Sequence, residues 1–515
     1  MKLVNLFYVL YKVKLLSPVA LFHLIASIIK CGINLMTLLH FAQKKFSDQI
    51  ALVDDNEVLT YNQLFEQSNS LAEVLHERLD LRENQNVAIM CKNHAVLVKS
   101  IFAVSRLGAN IYFVSTEMSA NQLNRILKRN PFDLIIYDVE LSSIIGDLEF
   151  KGNKLFSYHD QMPAINQFLD LDSPEKVHLP RRNQSKIVLS TSGTTGDSKQ
   201  AEHKPSLYNY LNPFVAFIQR LNILNYKTGY IATPIYHGYG IAVLLLFIPL
   251  GKKMVISRGF NAQTACQLIE KHQVNIVTVV PTMLKRMLDT DKNALKTLSC
   301  IASGGAKLNP KLIEETFCSL GEVLYNLYGT TEVGLNFIAT PKDLKYSSST
   351  VGKIIKGTRL KILDENMNEV HVGEIGQFCI KNVWSMGNDK KKWRETGDLG
   401  YRDQLGYYFL CGRVDDMIIS GGINVYPVEM EQVIMEHPEI EEVAVIGVPD
   451  EQFDQRFMAY VVRKRDSNLT VEELIEWLRP KVARYQLPKE IKFLNEMPYT
   501  TLGKLDKKQL KQLES

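Results

Sequence analysis

Cysteine is scarce in this 515-residue sequence and scattered where it occurs: Cys31, Cys91, Cys266, Cys300, Cys318, Cys379 and Cys411. The number is odd and no C-x-x-C pair exists, which excludes a disulfide framework or a zinc site and points to free thiols in a reducing compartment. An excess of one charge is missing too. With 60 Lys+Arg against 56 Asp+Glu the net charge is +4, so no basic footprint for nucleic acid is evident. No apolar run reaches the roughly 20 residues of a spanning helix. The run from Pro18 to Ile29 is interrupted by His23 and stopped by Lys30. No secretory cleavage pattern is visible. What remains is ordinary globular usage, 46% hydrophobic and 23% charged, which excludes wholesale disorder, collagen and coiled coil. At about 150 residues per domain the chain has room for about two to four domains.

Residues 1–47 form a basic apolar segment: Lys2, Lys12, Lys14, Lys30, Lys44 and Lys45 are present, and no acidic residue precedes Asp48. Such a segment suits the interface of an anionic membrane, or equally a helical arm packed on the protein's own surface. Residues 48–411 alternate short apolar strands with helical stretches. Asn275–Val280 is a β-branched run after the helix-like Gln263–His272. Leu298–Ala302 is another, followed by a Gly-Gly turn and a helix start at Asn309-Pro310. This predicts an α/β fold, a large N-terminal domain of helix-covered mixed or parallel sheets. Residues 412–515 read as a small α+β domain with a strand at Glu442–Val448 and a helix capped by Thr470, with Glu473 at capping-box spacing. The joint is expected between Cys411 and Asp416.

The stretch Ser190-Thr191-Ser192-Gly193-Thr194-Thr195-Gly196-Asp197-Ser198-Lys199 follows the β-branched run Ile187–Leu189. A loop of small hydroxyl residues and glycines lets N–H and O–H groups close around phosphate oxygens, and Lys199 adds charge. Its G-x-x-G-x-x-K spacing differs from the G-x-x-x-x-G-K-[ST] of a P-loop, so kinase and GTPase readings lose support. A plain surface turn uses the same residues.

Further along stand Pro234-Ile235-Tyr236-His237-Gly238, Ser303-Gly304-Gly305-Ala306, Tyr328-Gly329-Thr330-Thr331-Glu332, Thr396-Gly397-Asp398, Gly412-Arg413-Val414-Asp415-Asp416 and Gly503-Lys504. Together with the Thr/Gly loop, these resemble, in order and separation, the motifs of the adenylate-forming superfamily, which includes acyl-CoA synthetases. The resemblance runs from about residue 48 to the C-terminus. It implies ATP and Mg²⁺ dependence, activation of a carboxylic acid as acyl-AMP, and thioester formation with coenzyme A. Thr191, Ser192, Gly193, Thr194, Thr195, Gly196 and Lys199 are then phosphate contacts. Gly304, Gly305 and Ala306 line one face of adenine and Tyr328 the other, with Asn326 at its edge and Gly329 also among the nucleotide-binding residues. Thr331 contacts the α-phosphate, Glu332 ligates Mg²⁺, Asp398 accepts from the ribose hydroxyls, and Arg413 reaches ribose or phosphate. Lys504 bridges carboxylate and α-phosphate, Asp415 is the hinge of a mobile small domain, and Ser420, Gly421 and Gly422 serve the thioester step.

His237 resembles a gate residue at the acyl tunnel. The apolar Gly240–Leu250 after it is read as a pocket wall or as core, and no Asp or Lys adjoins His237 to hold an amino group. An apolar acid follows, a medium- or long-chain fatty acid. The alternatives are a ligase that loads a separate acyl carrier protein, and a degenerate acyl- or nucleotide-binding protein. The expected location is the cytoplasm, with peripheral contact at the inner face of the membrane as an option. Four departures stand out: Ser198 where relatives carry Pro, Gln200 where they carry Gly, a shortened Ile380–Trp393, and Lys507 or Lys508 as the terminal basic residue.

Overall fold

A computed structural model of the chain describes residues 11, 17–146, 148–170, 179–182, 185–191, 199–203, 209–386, 392–420, 423–450, 453–500 and 504–513. The chain divides into two compact units, one of residues 1–348, 354–358 and 382–392, the other of 349–353, 359–381 and 393–515. Each is described by itself.

The first unit opens with two helices. Helix α1 (Pro18–Cys31) starts on Ser17, whose hydroxyl accepts the Ala20 N–H at 3.2 Å, with proline at the first helical position. Helix α2 (Leu35–Phe46) buries Leu35, Met36, Leu39 and Ala42 in the largest core of the unit, so this part of residues 1–47 belongs to the domain that follows. Between them Gly32 sits at φ +87, and a Cβ there would stand 2.2 Å from the Arg182 carbonyl oxygen. Only glycine fits.

Strands β1 (Ile50–Val53) and β2 (Val58–Thr60) form a hairpin. A six-stranded sheet follows from β3 (Asn86–Met90), β4 (Asn110–Phe113), β5 (Leu134–Tyr137), β6 (Asn153–Phe156), β7 (Ile187–Thr191) and β8 (Lys199–His203), in the order β6-β5-β3-β4-β7-β8. All of its neighbours run parallel except the β7–β8 pair. Helix α3 (Ala95–Arg106) between β3 and β4 is buried along its whole length. Strands β9 (Thr228–Ile231), β10 (Lys253–Ile256), β11 (Ile276–Val279), β12 (Cys300–Gly304), β13 (Leu324–Thr330) and β14 (Gly334–Ala339) join the β1–β2 hairpin in a second sheet, ordered β14-β13-β12-β11-β9-β10-β1-β2. Helix α4 (Gly238–Phe247) links β9 to β10, α5 (Ala262–His272) leads into β11, and α6 (Pro310–Leu320), capped by Asn309, lies between β12 and β13. The expected α/β architecture is present, and the strands and helix starts stand where β-branched runs and caps put them.

In the second unit β15 (Thr350–Ile354), β16 (Arg359–Leu363), β17 (Gly376–Lys381), β18 (Arg394–Arg402) and β19 (Tyr408–Arg413) pair antiparallel in the order β16-β17-β18-β19-β15. A single 3-10 turn, Val414–Asp416, joins β19 to the terminal fold. That fold has β20 (Ile418–Ser420), β21 (Ile423–Val425), helix α7 (Pro427–Met435), β22 (Ile440–Asp450), β23 (Asp454–Arg463), helix α8 (Val471–Leu478) and β24 (Glu490–Leu494), with sheet order β21-β20-β23-β22 and β24 beside β23. It is α+β, as expected. The capping box forms as read: Thr470 Oγ1 accepts the Glu473 N–H at 3.2 Å and Glu473 Oε2 accepts the Thr470 N–H at 2.9 Å. Strands β15–β19 group with residues beyond 411, because Leu399, Cys411 and Val428 share one buried cluster. The compact unit therefore starts upstream of the joint expected at 411–416.

Candidate active site

In an open parallel sheet, ligands bind in the crevice outside the carboxyl ends of the strands. The motif residues of the first unit gather at such ends. Residues Ser303 and Gly304 at the end of β12 lie in register with Asn326 and Leu327 of β13. Gly304 passes close to its neighbour strand, since a Cβ would stand 3.1 Å from the Leu327 carbonyl oxygen, and Gly305 turns away at φ +83. Ala306 is half-buried beyond it. Asn326 is buried, and Tyr328 is half-buried with its ring 5.3 Å from Phe337 at a steep angle. Gly329 is obligatory: a Cβ would meet the Gly334 carbonyl oxygen at 2.3 Å where the chain folds back into β14. Thr331 and Glu332 ride on that turn, both half-buried.

A polar network invisible to motif reading holds this turn. Asn382 Nδ2 donates to the Val333 carbonyl at 2.9 Å and to Asn336 Oδ1 at 2.8 Å, while Asn336 Nδ2 donates to the Gly334 carbonyl at 2.7 Å. Asn382 Oδ1 in turn accepts the N–H groups of Trp384 and Ser385. The Met386 N–H donates to the Glu332 carbonyl at 2.9 Å. Both asparagines are buried. A buried amide is stable there because its donors and acceptors are met.

His237 immediately precedes α4, half-buried, with its ring 4.5 Å from Tyr236. The segment leading to it is pinned by the buried Asn93, which accepts the Ile235 N–H at 2.7 Å and donates to the Thr233 carbonyl at 3.0 Å. Tyr239 reaches from the first turn of α4 to the Ala302 carbonyl at 2.7 Å, tying the helix start to β12. Gly238 meets the other sheet, for a Cβ there would lie 3.2 Å from Leu189 Cδ1 in β7. The end of β7, where the Thr/Gly loop departs, is thus brought next to His237. Thr191 and Lys199 face each other as the last residue of β7 and the first of β8. Ser192, Gly193, Thr194, Thr195 and Gly196 lie outside the described residues. The apolar helix α4 is core rather than pocket wall along most of its length: Ile241, Val243, Leu244, Leu246 and Phe247 are buried, and Phe247 packs over Gly229.

In the second unit Asp398 and Arg413 are cross-strand partners, Nη1 to Oδ1 3.0 Å, and Nη1 also donates to the Thr396 carbonyl at 3.2 Å. Gly397 at φ +74 makes room, since a Cβ would stand 2.8 Å from Arg413 Nη2. Asp415 is exposed in the 3-10 turn, 3.8 Å from Arg413, and its neighbour Asp416 pairs with Lys507 at 2.8 Å. Ser420 is buried and donates to the Tyr485 carbonyl at 3.1 Å, which ties β20 to the 3-10 turn Arg484–Gln486. Gly421 and Gly422 lie outside the described residues. Lys504 is exposed, its carbonyl accepting the Thr500 N–H at 2.8 Å beside the antiparallel bridge of Tyr499 and Leu505.

Among the described residues one group of three metal-ligand types lies close together: Cys91, His94 and Asp138, all buried. It is an internal brace. His94 Nδ1 accepts the Leu97 N–H at 3.1 Å as the cap of α3, which leaves its proton on Nε2, donated to Asp138 at 2.9 Å. No lone pair remains on the ring for a metal. Burial alone would raise the Asp138 pKa, but His94, Ser157 and the Lys92 N–H outweigh it and hold the carboxyl well below the usual range.

The AMP-binding enzyme family model matches residues 39–387, and that of the AMP-binding enzyme C-terminal domain matches 429–504. The chain is 30% identical over 482 residues to a 2-succinylbenzoate–CoA ligase of Geobacillus sp. (strain WCH70), covering 90% of this chain and 95% of that protein. It is 26% identical over 533 residues to a long-chain-fatty-acid–CoA ligase of Escherichia coli O6:H1, covering 93% and 94%. Its fold is similar to that of the o-succinylbenzoate CoA synthetase of Bacillus subtilis in complex with an acyl-adenylate intermediate, with TM-score 0.79, 24% identity and 92% and 97% covered.

Proposed function

The chain belongs to the AMP-binding enzyme family, and from that premise we propose that it joins an apolar carboxylic acid, a medium- or long-chain fatty acid, to coenzyme A through an acyl-AMP. A carboxylate repels nucleophiles, and bonding it to AMP makes a good leaving group. The ionised acid attacks the α-phosphate of ATP itself and pyrophosphate leaves, so no general base is needed. The protein's work is positioning and charge stabilisation. Gly304 and Gly305, bare of side chains at the end of β12, leave one face of the adenine open to backbone. Tyr328 lies under the other, and Asn326 offers hydrogen bonds to its edge. Asp398, steadied by Arg413, accepts from the ribose hydroxyls. Thr331 and Lys199 meet phosphate.

Glu332 has the carboxylate oxygens that Mg²⁺ prefers. Bound there, the ion would offset the charge of the phosphates. Lys504, itself exposed, bridges acid and α-phosphate as a flexible point charge. Rotation about Asp415 then exchanges it for the 420–422 segment, where the coenzyme A thiol attacks the acyl carbon and AMP leaves.

One observation carries the choice of acid. The segment that holds His237, from the end of β9 to the first turn of α4 (Ala232–Tyr239), has no Asp, Glu, Lys or Arg. A dicarboxylic acid such as succinylbenzoate would bring a second carboxylate to a stretch without a cation, whereas an alkyl chain needs none. Thioester formation from ATP, coenzyme A and a panel of fatty acids against 2-succinylbenzoate tests this. Fatty acyl-CoA as the main product supports the reading, and preferential turnover of the aromatic diacid ends it.

A further inference from the structure

Helix α1 is built inside out for a surface helix. The face turned to the protein is small and partly polar, with Ala20, Ser27 and Cys31 buried. The face turned to solvent is large and apolar: Val19 is 64% exposed, Phe22 68%, Ile25 48% and Ile29 51%. Phe22, Ile25 and Ile29 follow the i, i+3, i+7 spacing of one stripe. An ordinary globular helix puts its apolar stripe inward. A contiguous apolar face left in water marks an interaction site.

The face is also held still. Ser17 caps the helix start, and Ser27 donates to the His23 carbonyl and accepts from His40 Nδ1 at 2.8 Å. Arg106 donates to the Lys30 carbonyl, and Gly32 is wedged against Arg182. Charge identifies the occupant. Residues 1–47 carry six lysines and no acidic side chain. A second copy docked through the same face would bring together two basic segments with no acidic side chain in either to pair with. An anionic bilayer suits both features, the apolar stripe and the basic composition of the segment that carries it. Crossing is excluded by length, because the 14 residues of α1 span about 21 Å against a hydrocarbon core of about 30 Å. Among the described residues no helix is long and apolar enough to cross.

We propose that the outward face of α1 is a docking surface for an anionic lipid bilayer, on which the helix lies in the interfacial plane with Phe22, Ile25 and Ile29 among the acyl chains. This holds whichever acid the enzyme activates. The test is co-sedimentation of the full chain with phosphatidylcholine vesicles, with and without phosphatidylglycerol, for the wild type and for the Phe22→Ser, Ile25→Ser, Ile29→Ser triple variant. Because these side chains are exposed, the variant should keep the wild-type melting temperature. The wild type should bind the anionic vesicles in preference to the neutral ones and release with added salt. The triple variant should bind at least about tenfold more weakly. Equal binding by the variant, or no binding by the wild type, would overturn the proposal. So would a lipid-free dimer that the triple variant converts to monomer, which would assign the face to a second copy.

Discussion

Asn382 Nδ2 stands 2.9 Å from the Val333 carbonyl oxygen, so a side chain 49 residues downstream fixes the turn that carries Thr331 and Glu332. Asn382→Ala would remove the donations to the Val333 carbonyl and Asn336 Oδ1 and the acceptor of the Trp384 and Ser385 N–H groups in a buried place, at a stability loss of about 1–3 kcal/mol. Because Glu332 would lose its setting, acid-dependent pyrophosphate release should fall about tenfold or more in kcat. Thermal melts and steady-state kinetics on the purified variant check both. Wild-type kinetics with a lowered melting temperature would show that the network supports only the fold.

The Asp398–Arg413 pair makes a different prediction. Asp398 keeps its carboxylate oriented by Arg413 before any nucleotide arrives. Asp398→Ala should raise the KM for ATP by about tenfold to a hundredfold with little change in melting temperature, since the pair is partly exposed. Arg413→Lys should weaken nucleotide binding as well, because an ammonium cannot donate to Asp398 and the Thr396 carbonyl with the same fork. Calorimetric titration with ATP reads out both variants.

His40 should make the α1–α2 pair sensitive to acid. Burial, and then the charges of Lys30, Lys44, Arg106 and His23, push its pKa down to about 4. The unfolded chain holds it near about 6.5. Between these values the unfolded state binds more protons, so stability is full above the upper value and is lost as pH falls towards the lower one. Denaturant melts across that range should show the decline. His40→Asn, which keeps a donor for Ser27, should flatten it, and an unchanged slope would remove His40 as the cause.

Much of this arrangement was legible along the chain. β-branched runs ending in Gly-rich turns marked β7 and β12, and the Tyr328–Glu332 motif marked the turn after β13, because glycine there answers local needs: room for a neighbouring strand at Gly304 and for the returning chain at Gly329. The Thr470–Glu473 box was legible for the same local reason. Asn93, Asn336 and Asn382 were not, since an asparagine means one thing in a solvated turn and another when folding brings carbonyls from distant segments around it. His94 and Asp138 were hidden likewise. The polarity of α1 was ambiguous because apolar content does not say which face turns inward, and the burial of α4 was ambiguous for the same reason. The grouping of β15–β19 with the C-terminal residues depends on long-range packing of Leu399 and Val428, which no spacing announces.

Lys504 gives the most direct test of the two-step account. Acid-dependent exchange of labelled pyrophosphate into ATP reports the first half-reaction alone, and conversion of supplied acyl-AMP with coenzyme A reports the second. For Lys504→Ala the account predicts exchange reduced to background while thioester formation from acyl-AMP continues near the wild-type rate. Undiminished exchange in that variant, or a wild-type enzyme that exchanges no pyrophosphate with any fatty acid, would contradict it.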